Sequence, residues 1–377
     1  MRGVHTRRSF TLSGAALSAA GVASCAAGAF ATNPRFAPVI AARERIIRID
    51  VGLRPFRPSG FRVAREVRGA KTIIHNYGHG GGGLTLSWGT SALALDEGFD
   101  PAQRDYAVLG CGAVGLATAR LLQERGAKVR LYAKALPPNT TSNVAGAQWW
   151  PASVYDHDRV SDAYLAQHFA AARAAFRRCQ TMVGPDYGIG WEVNYNLSDR
   201  PITTYPAPEA SPMRALVVNQ HDLAPQEHPF AAPYVRRFDT MMIETPRYLR
   251  RMEADVRLAG GEIVVREFRA FEEVAALPET TIFNCTGLGA GALFGDPEIT
   301  PVRGQLAILL PQAEVDYNII SSHGYMFGRA DGIVLGGTFE RGEWSLEPDP
   351  AAIDRIVRSH QAVFDAMRWP RPRDTAS

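Results

Sequence analysis

The chain has 377 residues, of which 46% are hydrophobic and 21% are charged, as in an ordinary globular protein with one large core or two moderate ones. The formal net charge is +3, and three of the 41 basic residues lie in the segment 1–31, which has no acidic residue. The remaining 38 basic and 38 acidic residues balance, so the charge does not indicate binding to nucleic acid or to an anionic membrane surface. None of the four cysteines has a CxxC or zinc-type spacing, so no metal site is predicted, while a disulfide stays open.

The segment 1–31 has the features of an export signal. "TRRSFTLSG" (Thr6–Gly14) is similar to a twin-arginine signal, and the Ala-rich run after it is too short for a membrane span. A lipobox-like "VASC" ends at Cys25, and "AFA" (Ala29–Ala31) is similar to a signal-peptidase site. The mature chain is therefore expected to begin at a lipidated Cys25 or at Thr32. We favour the second, with soluble export to the periplasm or the outside; a disordered basic tail is the alternative.

Two distinctive stretches follow, "GLRPFRP" (Gly52–Pro58) and "TIIHNYGHGGGGLT" (Thr72–Thr85). In the second, a strand-like run leads into four consecutive glycines, and a helical pattern continues through Trp88. Consecutive glycines let backbone N–H groups converge without side chains in the way, so a loop that opens a helix against a ligand is predicted. A mobile linker is the alternative, but the ordered flanks argue against it. Metal binding by His75 and His79 is not predicted, because no helix is expected between them.

The stretch "YAVLGCGAVGLATARLLQERGAKVRLYAK" (Tyr106–Lys134) predicts a strand, a tight turn, a helix and a second strand. Gly110, Gly112 and Gly115 form the pattern GxGxxG, which allows the turn, the approach of a pyrophosphate and close helix–strand packing. The helix N-terminus then faces the phosphates. A dinucleotide site is predicted, with a purely structural turn as the alternative. An acidic residue for the ribose is expected near the end of the second strand, but Lys134 stands there, which suits the 2′-phosphate of NADP or a phosphate of another dinucleotide.

The next loop, "PPNTTSNVAGAQWWP" (Pro137–Pro151), offers hydroxyl groups for a pyrophosphate or a ribityl chain. Its small residues, Ala145, Gly146 and Ala147, would let the chain pass close to a flat ring. A polar loop without such a role is the alternative.

Together these segments resemble the D-amino-acid oxidase family of flavoproteins. The remaining parts of that family are matched by four further stretches: Tyr234–Val274, "TIFNCTGLGAGAL" (Thr281–Leu293), "PVRGQ" (Pro301–Gln305) and "GYMFGRADGIVLGGTFERGEWS" (Gly324–Ser345). The resemblance covers nearly all of residues 45–365, and GLRP and HNYGHGG are its specific motifs.

The order of the motifs differs from that of the family, in which GLRP and HNYGHGG lie at the C-terminal end. Here both precede the GxGxxG strand, which indicates a circular permutation. The family's C-terminal helix, here Leu84–Gly98, would run on into its first strand. Permutation succeeds where chain termini lie close and the new cut falls in an exposed connection. It predicts that Ile46–Gly52 lies in the substrate-domain sheet beside segments from 320–345.

The resemblance implies an α/β fold, with a Rossmann-like FAD-binding domain and a mixed-sheet α+β substrate domain in permuted order. The FAD-binding domain is expected to be discontinuous, over residues 66–150 and 260–307. The substrate domain would take 42–65, 151–259 and 308–365, and a tail would follow over 366–377.

The resemblance also implies the site residues. Arg54 would hold the substrate carboxylate bidentately, Tyr325 would hydrogen-bond the same carboxylate, and a carbonyl near Gly81 would accept from the amine. Trp150 and Gln148 would line the substrate pocket, and no metal is expected. The residues expected to bind FAD are Gly80, Gly81, Gly82, Gly83, Leu84, Thr85, Gly110, Gly112, Ala113, Val114, Gly115, Lys134, Thr140, Thr141, Ser142, Gly146, Ala147, Gln148, Cys285, Thr286 and Gly287.

Two further residues are compared with the family's active site. Its second, lid tyrosine corresponds to Ser321, and Tyr317 is a candidate to replace it. Arg57 is expected to have a structural role.

The implied reaction is the FAD-dependent oxidative deamination of a D-amino acid by hydride transfer to flavin N5. Oxygen as acceptor gives hydrogen peroxide, and the imino acid hydrolyses to a 2-oxo acid and ammonia. The alternatives are a flavin amine oxidase or dehydrogenase with another substrate or acceptor, and an exported flavoprotein without catalysis. An NADP enzyme would rest on Lys134 alone.

Overall fold

The computed structural model describes residues 36–202 and 212–368. The predicted export signal over 1–31, including Cys25, lies outside the described residues, as does the tail beyond Arg368. Within the described ranges, no helix is both long and apolar enough to cross a bilayer.

The described chain has 15 strands and seven α-helices. The strands are β1 (Ile46–Phe56), β2 (Arg62–Arg68), β3 (Lys71–Tyr77), β4 (Asp105–Leu109), β5 (Lys128–Ala133), β6 (Ile189–Ser198), β7 (Val218–Leu223), β8 (Tyr234–Ile243), β9 (Glu262–Val265), β10 (Thr281–Asn284), β11 (Thr300–Leu309), β12 (Tyr317–Ser321), β13 (Gly324–Arg329), β14 (Gly332–Gly336) and β15 (Glu340–Arg341). The helices are α1 (Gly83–Gly98), α2 (Ala113–Glu124), α3 (Asp162–Gln180), α4 (Thr245–Leu258), α5 (Phe271–Ala275), α6 (Gly289–Phe294) and α7 (Pro350–Asp365).

The smaller sheet has six strands in the order β2-β3-β10-β4-β5-β9. All neighbours are parallel except β2, which is antiparallel to β3. Its central strands are almost wholly buried, as expected of a parallel sheet with both faces covered. Helices α1 to α4 contribute to the core on one face, and α5 and α6 to the core on the other. This doubly wound arrangement confirms the predicted Rossmann-like fold.

The larger sheet has the strand order β1-β11-β14-β13-β12-β6-β8-β7, with β15 paired to β11. Its neighbours are antiparallel except β12 and β6, which are parallel, so the predicted mixed sheet is confirmed. One face packs on α7 through Ile353, Ile356 and Phe364. The opposite face carries Tyr325 and Phe327 and contacts Gly146 of the loop that follows β5.

Strand β1 joins the larger sheet, as the permuted order predicts for Ile46–Gly52. Its direct partner is β11, with Arg54 opposite Val302, and the strands within 320–345 lie beyond β11. The expectation that β1 lies directly beside those strands is therefore wrong. The reason is that β11 is a continuous ten-residue strand which pairs with β1 on one side and β14 on the other.

Two expected domain limits differ from the sheet composition. Residues 300–307 were grouped with the FAD-binding domain, but β11 belongs to the larger sheet, and the limit at 307/308 falls inside this strand. Strand β2 begins before the expected limit at 66 and belongs to the smaller sheet.

Candidate functional site

The glycines of the GxGxxG turn lie at the carboxyl end of β4, where α2 begins. Gly110 has φ +106, and a Cβ atom there would overlap the carbonyl of Cys285. A Cβ atom on Gly115 would overlap the carbonyl of Gly110, so close packing of turn and helix requires glycine at both positions. Gly112 precedes α2, and the amide of Ala113 donates to Ser142 Oγ at 3.0 Å. The polar loop after β5 therefore meets the α2 N-terminus.

A second loop follows β10, next to β4 in the smaller sheet. Thr286 donates from its amide and its hydroxyl to Asn284 Oδ1, at 3.2 and 2.7 Å. Asn284 Nδ2 lies 3.1 Å from His75 Nδ1, and His75 Nε2 lies 2.8 Å from Glu66 Oε2. Burial lowers the pKa of His75, so the neutral ring accepts from Asn284 and donates to Glu66. His75 thereby anchors the Thr286 loop.

The cysteines in the described part of the chain are free thiols of low reactivity. Cys111, Cys179 and Cys285 are free thiols, so the disulfide left open by the sequence is not formed among them. Burial raises the pKa of Cys285 to about 12, which keeps its thiol protonated and unreactive.

The glycine run packs against the segment 152–154. A Cβ atom on Gly80 (φ +54) would overlap the Ser153 carbonyl, and one on Gly81 would lie 2.6 Å from the Ala152 carbonyl oxygen. A Cβ atom on Gly82 would lie 2.8 Å from a Val154 methyl group. Gly83 has helical geometry and open space, because its nearest neighbour would be 4.0 Å away. Three of the four glycines are thus required by close contact.

The residues beside the run are held by internal hydrogen bonds. His79 Nε2 lies 2.9 Å from Thr90 Oγ1, and burial lowers the pKa of His79 to about 3, so this histidine is neutral and structural. Leu84 and Thr85 are buried in the first turn of α1, and the Thr85 hydroxyl donates to the Gly82 carbonyl at 3.2 Å. Gly81 is the exposed member of the run.

Arg54 and Tyr325 meet between β1 and β13. The Tyr325 hydroxyl is in hydrogen-bonding contact with the Arg54 guanidinium, which partly offsets the rise that burial causes in the pKa of Tyr325. The same guanidinium donates to the carbonyl of Thr338 at 3.3 Å. Among the described residues no carboxylate pairs with Arg54. A half-buried guanidinium without a counter-ion is suited to binding a carboxylate.

Glycines make room for this pair. A Cβ atom on Gly304 would overlap the Arg54 guanidinium, and one on Gly336 would overlap the Tyr325 ring. Gly304 lies on β11, next to β1, and Gly336 lies on β14, next to β13. The neighbouring strands thus leave space in which the two polar side chains lie across the sheet.

The predicted elements converge around this pair. A Cβ atom on Gly287 would lie 3.6 Å from Pro55, and Phe56 forms a β-bridge with His79. A Cβ atom on Gly146 would lie 3.0 Å from the rings of both Tyr325 and Phe327. The glycine run, the Thr286 loop and the loop after β5 therefore surround the Arg54 end of β1.

The loop after β5 is held in a constrained conformation. Ala147 has φ +68, a region that a residue with a side chain enters at a cost of roughly 1–3 kcal/mol. The amide of Ile243 donates to the Ala147 carbonyl at 3.0 Å, and Trp149 donates to the Met241 carbonyl at 2.7 Å. The Gln148 side chain donates to Asn194 Oδ1, so it lies against the larger sheet, while Trp150 is half-buried.

Three other residues expected at the cofactor follow β5. Lys134 is exposed directly after β5, and Thr141 is exposed in the following loop. The Thr140 hydroxyl donates to Asn143 at 2.8 Å. Their contact with a cofactor stays a prediction.

The expectation for Tyr317 is wrong. Its ring is buried in the core that faces α7, and its hydroxyl donates to the Ala37 carbonyl at 2.7 Å. Tyr325 lies opposite Ile320, so odd-numbered residues of β12 point away from the face that carries Tyr325. Only Ser322 and His323 connect β12 to β13, so no lid loop is present between these two strands.

Arg57 is structural, as expected. Its guanidinium donates to Asp296 at 2.8 Å and to Glu298 at 2.6 Å.

Asn194 and Asn318 on the face of Tyr325 were missed from the sequence. Alternation along "EVNYN" (Glu192–Asn196) would have placed Glu192 and Asn194 on one face, but it does not show which strand lies next to them.

The site and the fold define the class of protein. A glycine turn and a helix N-terminus at the carboxyl ends of parallel strands form a dinucleotide cradle. In this cradle glycine is required at Gly110 and Gly115, and the adjacent free guanidinium is an anion-binding group. The protein is thus a dinucleotide-dependent enzyme that acts beside an anion-binding pair.

Comparisons with known proteins give the family. Residues 105–375 match the DAO family, described as FAD dependent oxidoreductase. A D-amino-acid oxidase of Rubrobacter xylanophilus is 34% identical over 268 residues, which cover 70% of this chain and 78% of the relative. A D-amino-acid oxidase of Streptomyces coelicolor is 31% identical over 278 residues, with 70% and 79% covered. The chain belongs to the DAO family of FAD-dependent oxidoreductases.

A solved structure agrees with this fold. The L-α-glycerophosphate oxidase of Mycoplasma pneumoniae with FAD bound has a TM-score of 0.51 at 15% identity, with 70% of this chain and 79% of that chain covered. Because the DAO family is FAD dependent, the cofactor is FAD, and the glycine cradle at the start of α2 suits its pyrophosphate.

Proposed function

We propose that the protein oxidises the Cα–N bond of a D-amino acid. The substrate loses its Cα hydrogen as a hydride and a proton from nitrogen, and water hydrolyses the imino acid to a 2-oxo acid and ammonia. FAD, when bound, supplies the two-electron acceptor, and oxygen as the final acceptor is reduced to hydrogen peroxide. The observation that carries the proposal is the Arg54 guanidinium, without a counter-ion among the described residues, in contact with Tyr325 beside the glycine run.

The side chains have separable tasks in this reaction. Arg54 binds the substrate carboxylate, and Tyr325, which burial keeps protonated, donates a hydrogen bond to it. The carbonyl of Gly81, the exposed residue of the glycine run, accepts from the substrate amine. Together these contacts fix Cα in one orientation, and orientation with exclusion of water provides most of the rate without a general base at Cα.

The D configuration is supported by the two relatives, both D-amino-acid oxidases. A second candidate is a flavin dehydrogenase that passes electrons to a carrier instead of oxygen. The two-residue connection between β12 and β13 favours it, because a short connection leaves the site more open to a large acceptor.

We also propose that the chain order is permuted and that the protein is exported. The DAO match begins at Asp105, the first residue of β4, while Arg54 and the glycine run precede it and still reach the same site. Export rests on the twin-arginine pattern in residues 1–31.

The test is anaerobic reduction of the bound flavin. Wild type is mixed with a panel of D- and L-amino acids, and bleaching of the yellow absorbance is followed by stopped flow. Arg54→Ala should bind FAD normally but be reduced at least ~100-fold less efficiently, because it loses a charge-assisted pair of hydrogen bonds and the orientation they give.

The matched control is Arg65→Ala, at an exposed arginine on β2, which should behave as wild type. Reduction of Arg54→Ala at unchanged rate and affinity would reject the carboxylate site. A flavin that no amino acid bleaches would instead indicate a flavoprotein without this activity.

A further inference from the structure

The sheet face that carries Tyr325 also carries a row of amide side chains. Phe327 stacks on Tyr325 at 4.5 Å between ring centroids and lies opposite Asn318 on β12. Asn318 lies in register with Asn194 on β6. Because directly paired residues share a face of the sheet, both asparagines lie on the face of the Tyr325–Phe327 stack. They are 1% and 0% exposed.

Hydrogen bonds fix the orientation of two of these amides. Asn194 Nδ2 donates to the Glu192 carbonyl at 2.8 Å, so its Oδ1 is the atom that accepts from Gln148 Nε2. The amide oxygen of Gln148, Oε1, is therefore not bonded to Asn194. This oxygen accepts no hydrogen bond from any residue in 36–202 or 212–368, and Gln148 is half-buried. A free acceptor is left at the site.

Asn318 supplies the complementary donor. The amide of Gly328 donates to Asn318 Oδ1 at 3.0 Å, which leaves Nδ2 as the second group of the side chain. Asn318 Nδ2 is buried and has no partner within the described part of the chain. A buried donor without an acceptor costs about 1–3 kcal/mol, a cost that a ligand acceptor would remove.

The spacing suits the end of a substrate side chain. Neighbouring strands lie roughly 4.8 Å apart, and Asn318 is on the strand next to Tyr325 and one residue pair along. Asn318 thus lies roughly 7–10 Å from Tyr325, the member of the carboxylate-binding pair on β13. A side chain of three or four bonds, about 4–5 Å long, with a hydrogen bond of about 3 Å at its end spans roughly this distance from a Cα atom held beside Tyr325.

The charges on this face favour a neutral ligand group. Glu192 lies two residues before Asn194 and is half-buried, and its side-chain carboxyl group has no hydrogen bond or ion pair with a described residue. Arg329, on the same strand as Tyr325, is bonded to Asp331 and to the Ala145 carbonyl at 3.1 Å. An added carboxylate would therefore meet a free acid and no free cation from these residues.

We propose that Gln148 Oε1 and Asn318 Nδ2 recognise the carboxamide of the substrate side chain, as in D-glutamine or D-asparagine. A carboxamide donates through its NH₂ group and accepts through its oxygen, which matches one free acceptor and one free donor. The inference rests on the proposed function, because it places the substrate carboxylate at Arg54. It adds the identity of the side chain.

The test compares three D-amino acids of similar length on the flavin-loaded protein. D-glutamine should reduce the flavin at least ~10-fold more efficiently than D-methionine or D-glutamate, because a site built for hydrogen bonds rejects analogues that lack them. Gln148→Met should lower the ratio of the efficiency with D-glutamine to that with D-methionine ~10-fold or more. Asn318→Asp keeps the acceptor for Gly328 and removes the donor, and should act in the same direction.

The matched control is Gln180→Met, at an exposed glutamine that ends α3, which should leave all three efficiencies unchanged. If Asn318→Asp lowers the yield of folded yellow protein, Gln148→Met alone decides the matter.

D-alanine is too short to reach the amides, so it distinguishes failure of the carboxamide site from failure of the proposed function. Bleaching by D-alanine together with a wild type that prefers D-methionine or D-glutamate overturns the carboxamide site and leaves the proposed function standing. Absence of bleaching by every amino acid rejects both.

Discussion

At the scale of single residues, the active site depends on which charges lack partners. Arg57 is neutralised by Asp296 and Glu298, whereas the side-chain partners of Arg54 within 36–202 and 212–368 are the Thr338 carbonyl and Tyr325. Both arginines lie in the same short stretch of sequence. Their different roles follow from what faces them, because Gly304, whose Cα lies against the Arg54 guanidinium, brings no acidic side chain. The free guanidinium is therefore maintained by the neighbouring strands.

Glu192 gives a pH-dependent prediction. Burial, with Asp316 and Glu244 nearby, raises its pKa from 4.5 to about 7, so the folded protein retains a proton that the unfolded chain has lost. Between these values the folded state binds more protons, and stability falls as pH rises. Glu192→Gln should remove this loss and be more stable than wild type by roughly 1–3 kcal/mol at pH 8, with little difference at pH 4.

Urea unfolding of both proteins at pH 4 and pH 8 measures this difference. Glu97→Gln is the control, because Glu97 is exposed on α1 and should show no such pH dependence. Equal stability of Glu192→Gln and wild type at pH 8 would show that Glu192 is ionised in the folded protein at no cost.

At the scale of elements, alanine substitutions along the glycine run are expected to differ in their effect on stability. Gly80→Ala should destabilise the protein by about 2 kcal/mol or more and weaken FAD binding, because φ is +54 and the new Cβ would overlap the Ser153 carbonyl. Gly83→Ala should be neutral or slightly stabilising, because Gly83 is helical and has open space around its Cα.

Thermal unfolding with FAD fluorescence as a second readout compares the two variants. Equal effects at both positions would mean that the run serves as a flexible linker and not as a packed loop.

The elements also show how far the sequence leads. The strand, turn and helix over 105–124 and the loop before α1 follow from local patterns, and the structure confirms them. The pairing of β12 with β6, which brings Asn318 beside Asn194, joins segments far apart in the chain, so no local pattern predicts it. Tyr317 is expected to replace the lid tyrosine but lies on the face opposite Tyr325, because strand side chains alternate and a shift of one residue exchanges the faces.

Strand β11 illustrates the same limit. The motif in Pro301–Gln305 indicates the cofactor side, while the register of the strand with β1 and β14 places it in the larger sheet. A strand at a domain interface can contact both domains at its end. A motif that contacts the cofactor side therefore does not show which sheet the strand belongs to. The Arg54–Tyr325 contact, in turn, was expected through the family resemblance, and the cross-strand glycines that make room for it were not.

At the scale of the whole molecule, the two ends of the described chain lie next to each other. The Phe36 ring is 5.4 Å from the Phe230 ring, and the amide of Arg368 donates to the Pro229 carbonyl at 2.6 Å. Neighbouring residues 229 and 230 thus contact both ends. The α1–β4 connection is exposed at Asp100, Pro101 and Ala102, and the hydrogen bonds of Asp100 and Ala102 are local. These are the conditions under which a chain is permuted without loss of fold.

A reordered chain should therefore fold and remain yellow. It would begin at Ala102, run through Arg368, continue by a linker of about eight Gly and Ser residues to Phe36, and end at Pro101. Closing one loop while opening another should change the free energy of unfolding by only about 1–2 kcal/mol, and FAD content and flavin reduction should match wild type.

A second permutant with the same linker but cut between Gly112 and Ala113 would divide the cradle at the start of α2 and should lose FAD. If the Ala102 permutant is soluble but colourless, or does not fold while wild type does, then the α1–β4 connection contributes to the fold beyond its local hydrogen bonds, and the proposed permuted origin loses its physical support.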